Sequence, residues 1–192
     1  YGASQDNCIS MWVADMDFRT AEPVIQALRE RVERGIFGYA SKTERYLDAV
    51  QGWMKKRHGF QVEQEWIVPT VGIVPALSMM VRKFSKPGEK VLIQRPVYYP
   101  FTNAVKNNDR VVLCNALKLE NNRYEMDLKD LEQKAADPDV HLMILCNPHN
   151  PLGRVWSFED LQKVGQLCRE HQVLLISDEI HGDLIMPGHQ FN

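Results

Sequence analysis

With 192 residues, 44% of them hydrophobic, the chain is long enough to bury the core of about one domain, and 23 Lys plus Arg against 25 Asp plus Glu leave a net charge of -2. No basic run suits a phosphate backbone, which argues against a nucleic-acid partner. The longest nearly apolar stretch, "IVPALSMMV", falls far short of the roughly 18 residues of a membrane span, and no charged segment with an apolar core opens the chain, so the expected place is the cytoplasm, away from membranes.

Residues 20–34 read as an amphipathic helix stopped by Gly35, and Ser41 with Glu44 opens a second that ends before "HGF" at 58–60. From about Glu65 the pattern alternates. "EWIVPTV" (65–71) reads as a short strand, and 73–85 as a helix with Val74, Leu77, Val81 and Phe84 on one face. "KVLIQ" (90–94) is a strand, 98–108 a helix, "RVVLCNAL" (110–117) a strand, and 127–136 a helix that aligns Leu128, Leu131 and Ala135. "VHLMILC" (140–146) shows no polar alternation after His141, as a strand covered on both faces should. Ser157 and Asp160 form a capping-box pattern ahead of a helix with Phe158, Leu161, Val164 and Leu167 inward, and "QVLLIS" (172–177) closes the series. Repeated strand-helix-strand units predict a three-layer α/β sandwich with a mainly parallel sheet and helices on both faces. Cys8, Cys114, Cys146 and Cys168 are widely spaced, without C-x-x-C, and read as reduced, buried thiols.

Ligands of such a sheet bind beyond the carboxyl ends of its strands. Those exits carry "TVG" (70–72), "RPVYY" (95–99), "CNPHNPLG" (146–153) and "SDEIHGD" (177–183). The last breaks an apolar run into Asp178, Glu179, His181 and Asp183. A nucleotide hydrolase that held magnesium there would need a G-x-x-x-x-G-K-[ST] loop upstream, and the chain has neither that nor G-x-G-x-x-G. His181 and Asp183 could share a face as metal ligands with His141, His149 or His189, but no H-x-x-x-H or Cys/His pair accompanies them, and no metal is expected. Taken alone, an Asp at a strand end is a turn or cap residue.

The combination is more specific. "NPHNPLG" after one strand, "SDEIH" after the next, a glycine turn and a Pro-x-Tyr after earlier ones, and "WVADMDFRT" near the start resemble the fold-type-I pyridoxal-phosphate enzymes. The likeness is to the cystathionine beta-lyase-like, or C-S lyase, branch of the class I/II aminotransferase family, and it runs over essentially the whole chain. It implies that 1–45 is an N-terminal segment belonging to the small domain and dimer contact. Residues 46–192 are then the cofactor-binding large domain, incomplete at its carboxyl end. It implies pyridoxal 5'-phosphate as cofactor, a homodimer, and a small amino-acid substrate. The reaction implied is β-elimination of cystathionine or a cysteine conjugate to a thiol, pyruvate and ammonia. An aminotransferase and a non-catalytic binding or regulatory protein on the same fold are the alternatives.

The resemblance also distributes roles. Asp178 pairs with the protonated ring nitrogen, and a neighbouring cation favours the ionised carboxylate. Asn150 donates to the ring's phenolic oxygen; otherwise it is an Asx turn in a Pro-rich loop. Tyr98 covers the ring face, with Tyr99 as the alternative in register. The amides of Gly72, Ile73 and Val74 meet the phosphate at a helix start. Tyr39 reaches the phosphate of the neighbouring subunit. His181 supports the ring oxygen or Asp178, or is an imidazole satisfied in the core. The family's Schiff-base lysine follows the Asp strand and one further strand, but no lysine follows Asp178 here. That lysine and the arginine for the substrate carboxylate are therefore expected beyond Asn192, and the 192 residues alone are expected to be inactive.

Overall fold

The computed structural model describes Ile9, Val13, Ala14 and residues 16–192. The chain divides into two units, Tyr1–Tyr46 and Leu47–Asn192. In the first, helix α1 (Glu22–Arg34) carries a proline in its first turn and stops where Gly35 adopts φ 67°, its amide bonded to the Val32 carbonyl. That left-handed conformation costs glycine nothing and ends the helix. Helix α2 (Glu44–His58) runs from the first unit into the second. Its cap is Thr43, whose Oγ1 accepts from the Tyr46 amide at 3.2 Å, not the expected Ser41. A hydroxyl serves the amide three residues on, which puts the capping residue next to Glu44.

The second unit continues with α3 (Ile73–Phe84), β1 (Lys90–Arg95), α4 (Pro100–Lys106), β2 (Val111–Ala116), β3 (Lys118–Glu120), β4 (Arg123–Glu125), α5 (Leu128–Ala135), β5 (Val140–Cys146), α6 (Phe158–Glu170) and β6 (Leu174–Asp178). Four strands form one parallel sheet in the order β2-β1-β5-β6. Side chains alternate across it. Val91, Ile93, Leu142 and Ile144 meet Leu77 and Val81 of α3 and Phe101 and Val105 of α4 on one face. Leu92, Met143 and Leu145 meet Leu131 of α5 and Val164 and Cys168 of α6 on the other. Both faces of β5 are thus dry, which is why its sequence lacks polar alternation. Ser157 caps α6 as its sequence predicts, accepting from the Asp160 amide at 3.1 Å.

Two segments differ from expectation. Residues 65–71 are not a strand: a 3-10 turn spans Gln64–Trp66, and no ladder partner flanks the following residues among those described. Pro69 cannot donate, and Val68 and Val71 are exposed. The β3-β4 hairpin, which periodicity does not reveal, turns on Asn121 and Asn122 at φ 49° and 58°. Two consecutive residues with positive φ make the turn that matches strand twist, and asparagine tolerates it. Cys146 and Cys168 are buried and Cys114 half-buried, all three free; Cys8 lies outside the described residues.

The two-faced core yields a first prediction. Leu142 is fully buried in β5, whereas Leu174 on β6 is 43% exposed. In urea unfolding, Leu142→Ala should cost about 2–5 kcal/mol and Leu174→Ala under about 1.5 kcal/mol. Equal losses would mean that β5 is not the central, doubly covered strand.

Candidate active site

Parallel pairing sets Cys146 of β5 opposite Asp178 of β6, so the loops after the two strands start side by side. Asp178 is only 7% exposed. Its Oδ1 accepts from the Ile180 amide at 3.2 Å, and no cation among the described residues lies within ion-pair distance. Burial pushes this carboxyl above its ordinary pKa, with the Ile180 amide and the nearby His181 pulling the other way. A carboxylate removed from water without a partner is unfavourable. A protonated pyridine nitrogen would supply the missing cation, so the site fits a pyridoxal group on its own chemistry.

The loop after β5 is locked to the loop after β1. The Tyr98 amide donates to the Asn150 carbonyl at 2.8 Å, which brings these two predicted residues together. The side-chain amide of Asn150 has no hydrogen-bond partner among the described residues. Tyr98 is half-buried against the α3-α4 core and meets Phe101 edge-on at 6.3 Å, while Tyr99 is 72% exposed. Packing therefore holds the Tyr98 ring against the core and leaves that of Tyr99 in solvent.

Three residues that hold this loop carry no motif signal of that role. Trp156 is fully buried, donates from Nε1 to the Cys146 carbonyl at 3.0 Å, and donates from its backbone amide to Asn147 Oδ1 at 3.2 Å. His149 stands edge-on to it at 5.4 Å, its Nε2 2.8 Å from the Pro96 carbonyl. A carbonyl only accepts, so Nε2 carries the proton, and burial lowers the imidazole's pKa and keeps the ring neutral. His149, weighed from sequence as a metal ligand, is a strut between two loops.

Gly72 caps α3 with φ 122° and ψ 164°, a conformation reserved for glycine, and Gly72, Ile73 and Val74 are all exposed. Among the described residues the Gly72, Ile73 and Val74 amides have no backbone acceptor, as expected of the first turn of a helix. His181 is half-buried on the loop after β6 and lines a cavity of about 590 Å³ with His149, Asn150, Arg154, Met186 and His189. Asp178 and Tyr98 stand outside its lining. Asp183 turns away from His181 toward α2 and does not pair with it, and no group of three potential metal ligands occurs among the described residues. Tyr39 belongs to the first unit and is fully exposed. Trp12 and Asp15 of "WVADMDFRT" lie outside the described residues.

A buried acid at the end of one parallel strand, with an asparagine loop at the end of its neighbour, is the arrangement that the resemblance to fold-type-I pyridoxal-phosphate enzymes implies. The chain belongs to the family of class I and II aminotransferases, matched over residues 6–192. It is 52% identical over 184 residues to the cystathionine beta-lyase PatB of Bacillus subtilis (strain 168), covering 96% of this chain and 48% of PatB. It is 36% identical over 174 residues to protein MalY of Escherichia coli (strain K12), covering 90% of this chain and 45% of MalY. The crystal structure of cystalysin from Treponema denticola, which contains pyridoxal 5'-phosphate, superposes with a TM-score of 0.90 at 41% identity, over 93% of this chain and 45% of that one. The pyridoxal-phosphate-bound C-S lyase of Staphylococcus hominis gives 0.90 at 42%, over 94% and 46%. The chain spans about half the length of the curated relatives it matches.

The raised pKa of Asp178 fixes a sign. A carboxyl whose folded pKa exceeds its unfolded value near 3.8 leaves stability intact below that value and removes it as pH rises through the folded pKa. The cofactor-free chain should therefore lose stability relative to Asp178→Asn between pH 4 and pH 7. Urea midpoints of the two proteins should coincide at pH 4, with the variant higher at pH 7; a variant less stable at pH 7 would show that Asp178 has a stabilising partner.

Proposed function

We propose that this chain is the cofactor-binding part of a pyridoxal-phosphate-dependent carbon-sulfur β-lyase. The reading rests above all on Asp178, a buried acid at a strand end with no cation, and the lyase names borne by the relatives at 52% and 32% identity support the reaction. When bound, the cofactor draws electron density from the substrate's α carbon and so makes its proton removable. Asp178 would hold the ring nitrogen protonated. Asn150 would donate to the ring oxygen, and His181, which lines the same cavity, would support it. The Tyr98 ring, steadied by Phe101, would cover one face. The amides of Gly72, Ile73 and Val74 would take the phosphate, and Tyr39 of a second copy would reach it, making the working unit a homodimer.

In this proposal, residues 1–45 serve the small domain and dimer contact, and 46–192 serve the cofactor. The substrate is a thioether amino acid of the cystathionine or cysteine-conjugate kind, and the products are a thiol, pyruvate and ammonia. The cytoplasm is the compartment in which the free Cys114, Cys146 and Cys168 stay reduced. Elimination needs a base beside the α carbon and an amine that exchanges with substrate, and no lysine follows Asp178 to serve as either. The 192 residues alone therefore bind the cofactor reversibly without turnover.

Two measurements test the reading. With the full-length protein, cystathionine should yield pyruvate without any keto-acid acceptor; amino transfer without elimination would favour the aminotransferase, and neither reaction a binding protein. With this chain, Asp178→Asn should weaken pyridoxal phosphate about 10- to 100-fold, the loss of a charge-assisted bond of about 1.5–3 kcal/mol. A stoichiometric borohydride-trapped adduct on one native lysine, with turnover, would contradict the account.

A further inference from the structure

The loop after β6 is anchored at both ends. At its start, Asp178 accepts from the Ile180 amide, and two overlapping turns follow, from the Gly182 amide to the Glu179 carbonyl at 2.8 Å and from the Leu184 amide to the His181 carbonyl at 2.9 Å. At its far end, one carboxylate gathers three groups from the last two turns of α2. Trp53 Nε1 donates to Asp183 Oδ2 at 2.9 Å, His58 Nε2 lies 3.1 Å from Oδ1, and Arg57 Nε lies 3.6 Å from the same oxygen. The end of α2 is rich in basic residues, Lys55, Lys56, Arg57 and His58, where the negative end of the helix dipole favours cations.

His58 and Gly182 are enclosed at this junction, while the Asp183 side chain stays 40% exposed. His58 meets Phe191 edge-on at 5.5 Å, and a Cβ on Gly182 would come within 3.3 Å of the Phe191 ring and 3.1 Å of the Glu179 carbonyl. Arg57 lies over the Trp53 ring at 5.6 Å. Burial opposes ionisation of Asp183, but the bond from Trp53 and the charges of His58 and Arg57 outweigh it and hold the carboxyl below its ordinary range.

We infer that Asp183 is a positioning residue that, through Trp53, Arg57 and His58, fixes the loop on which His181 stands beside Asp178 and Asn150. His181 belongs to both turns and sits two residues from the anchor, so the ring cannot hold its place if the Asp183 end swings free. The importance of that place to the cofactor rests on the function proposed above; the mechanical claim does not. A side chain with no contact to the cofactor thus sets the geometry of one that has it.

The test uses the isotopically labelled chain in four forms besides wild type: Asp183→Ala, Asp183→Asn, Asp178→Asn, and Asp137→Ala, which breaks the ion pair with Lys90 at the amino end of β1. Amide exchange at Gly182 and Leu184 should quicken about 10-fold in Asp183→Ala, as expected when a local opening loses its anchor. Asp183→Asn, which can still accept from Trp53, should fall between, and Asp137→Ala should match wild type at both amides. Affinity for pyridoxal phosphate should fall about 5-fold in Asp183→Ala, follow the same order among the variants, and stay unchanged in Asp137→Ala. Unchanged exchange at Gly182 and Leu184 in both Asp183 variants overturns the clamp. Faster exchange with unchanged affinity, while Asp178→Asn weakens binding, overturns the positioning role. If Asp178→Asn itself leaves affinity unmoved, the cofactor reading fails and the exchange rates still decide the clamp.

Discussion

The site is organised around a carboxylate kept out of water with no counterion among the described residues. Asp178 lies at the end of a strand buried on the sheet side, and nothing among the described residues neutralises it. A fold retains such a group at a cost in stability, and the cost is recovered when a cation arrives. The surrounding strands fix the position of Asp178 at the carboxyl end of the sheet. The parallel ladder from Leu142 to Cys146 fixes its height, and the dry cores on both faces fix the ladder.

Rigidity at the site comes from the connections between loops rather than from the loops themselves. The Tyr98 amide and the Asn150 carbonyl join two strand exits, and His149 joins them again through Pro96. Trp156 fills the space behind, with its indole and backbone amide both satisfied by the segment it supports. Buried polar groups paired like those of Trp156 favour one geometry, since an alternative would leave a donor unmet. The loop after β6 follows the same logic, with its anchor supplied from α2. The curated relatives that the chain matches include proteins named as lyases and as transaminases, so the frame alone does not name the reaction.

Much of the frame is legible in the sequence because its signals are local. The run at 140–146, apolar after His141 and too short for a helix of ordinary length, suits a strand covered on both faces, and Ser157 with Asp160 marks a helix start by chemistry alone. Asp178 and Asn150 are legible only together, through the spacing of their motifs. What escapes depends on tertiary partners. Residues 65–71 have strand composition but no neighbour to pair with among the described residues, and Ser41 and Thr43 differ only in which hydroxyl reaches the Tyr46 amide. The roles of His149, Trp156 and Asp183 arise from contacts across 7 to 130 positions and leave no periodic trace.

A ring nitrogen held protonated by Asp178 would leave a direct spectroscopic trace. Pyridoxal phosphate labelled with ¹⁵N in its ring should, when bound to this chain at pH 7 to 8, show the chemical shift of a pyridinium. With Asp178→Asn, the bound fraction should show that of a neutral pyridine. A neutral ring nitrogen on the wild-type chain, or a pyridinium that persists without the carboxylate, would contradict the account.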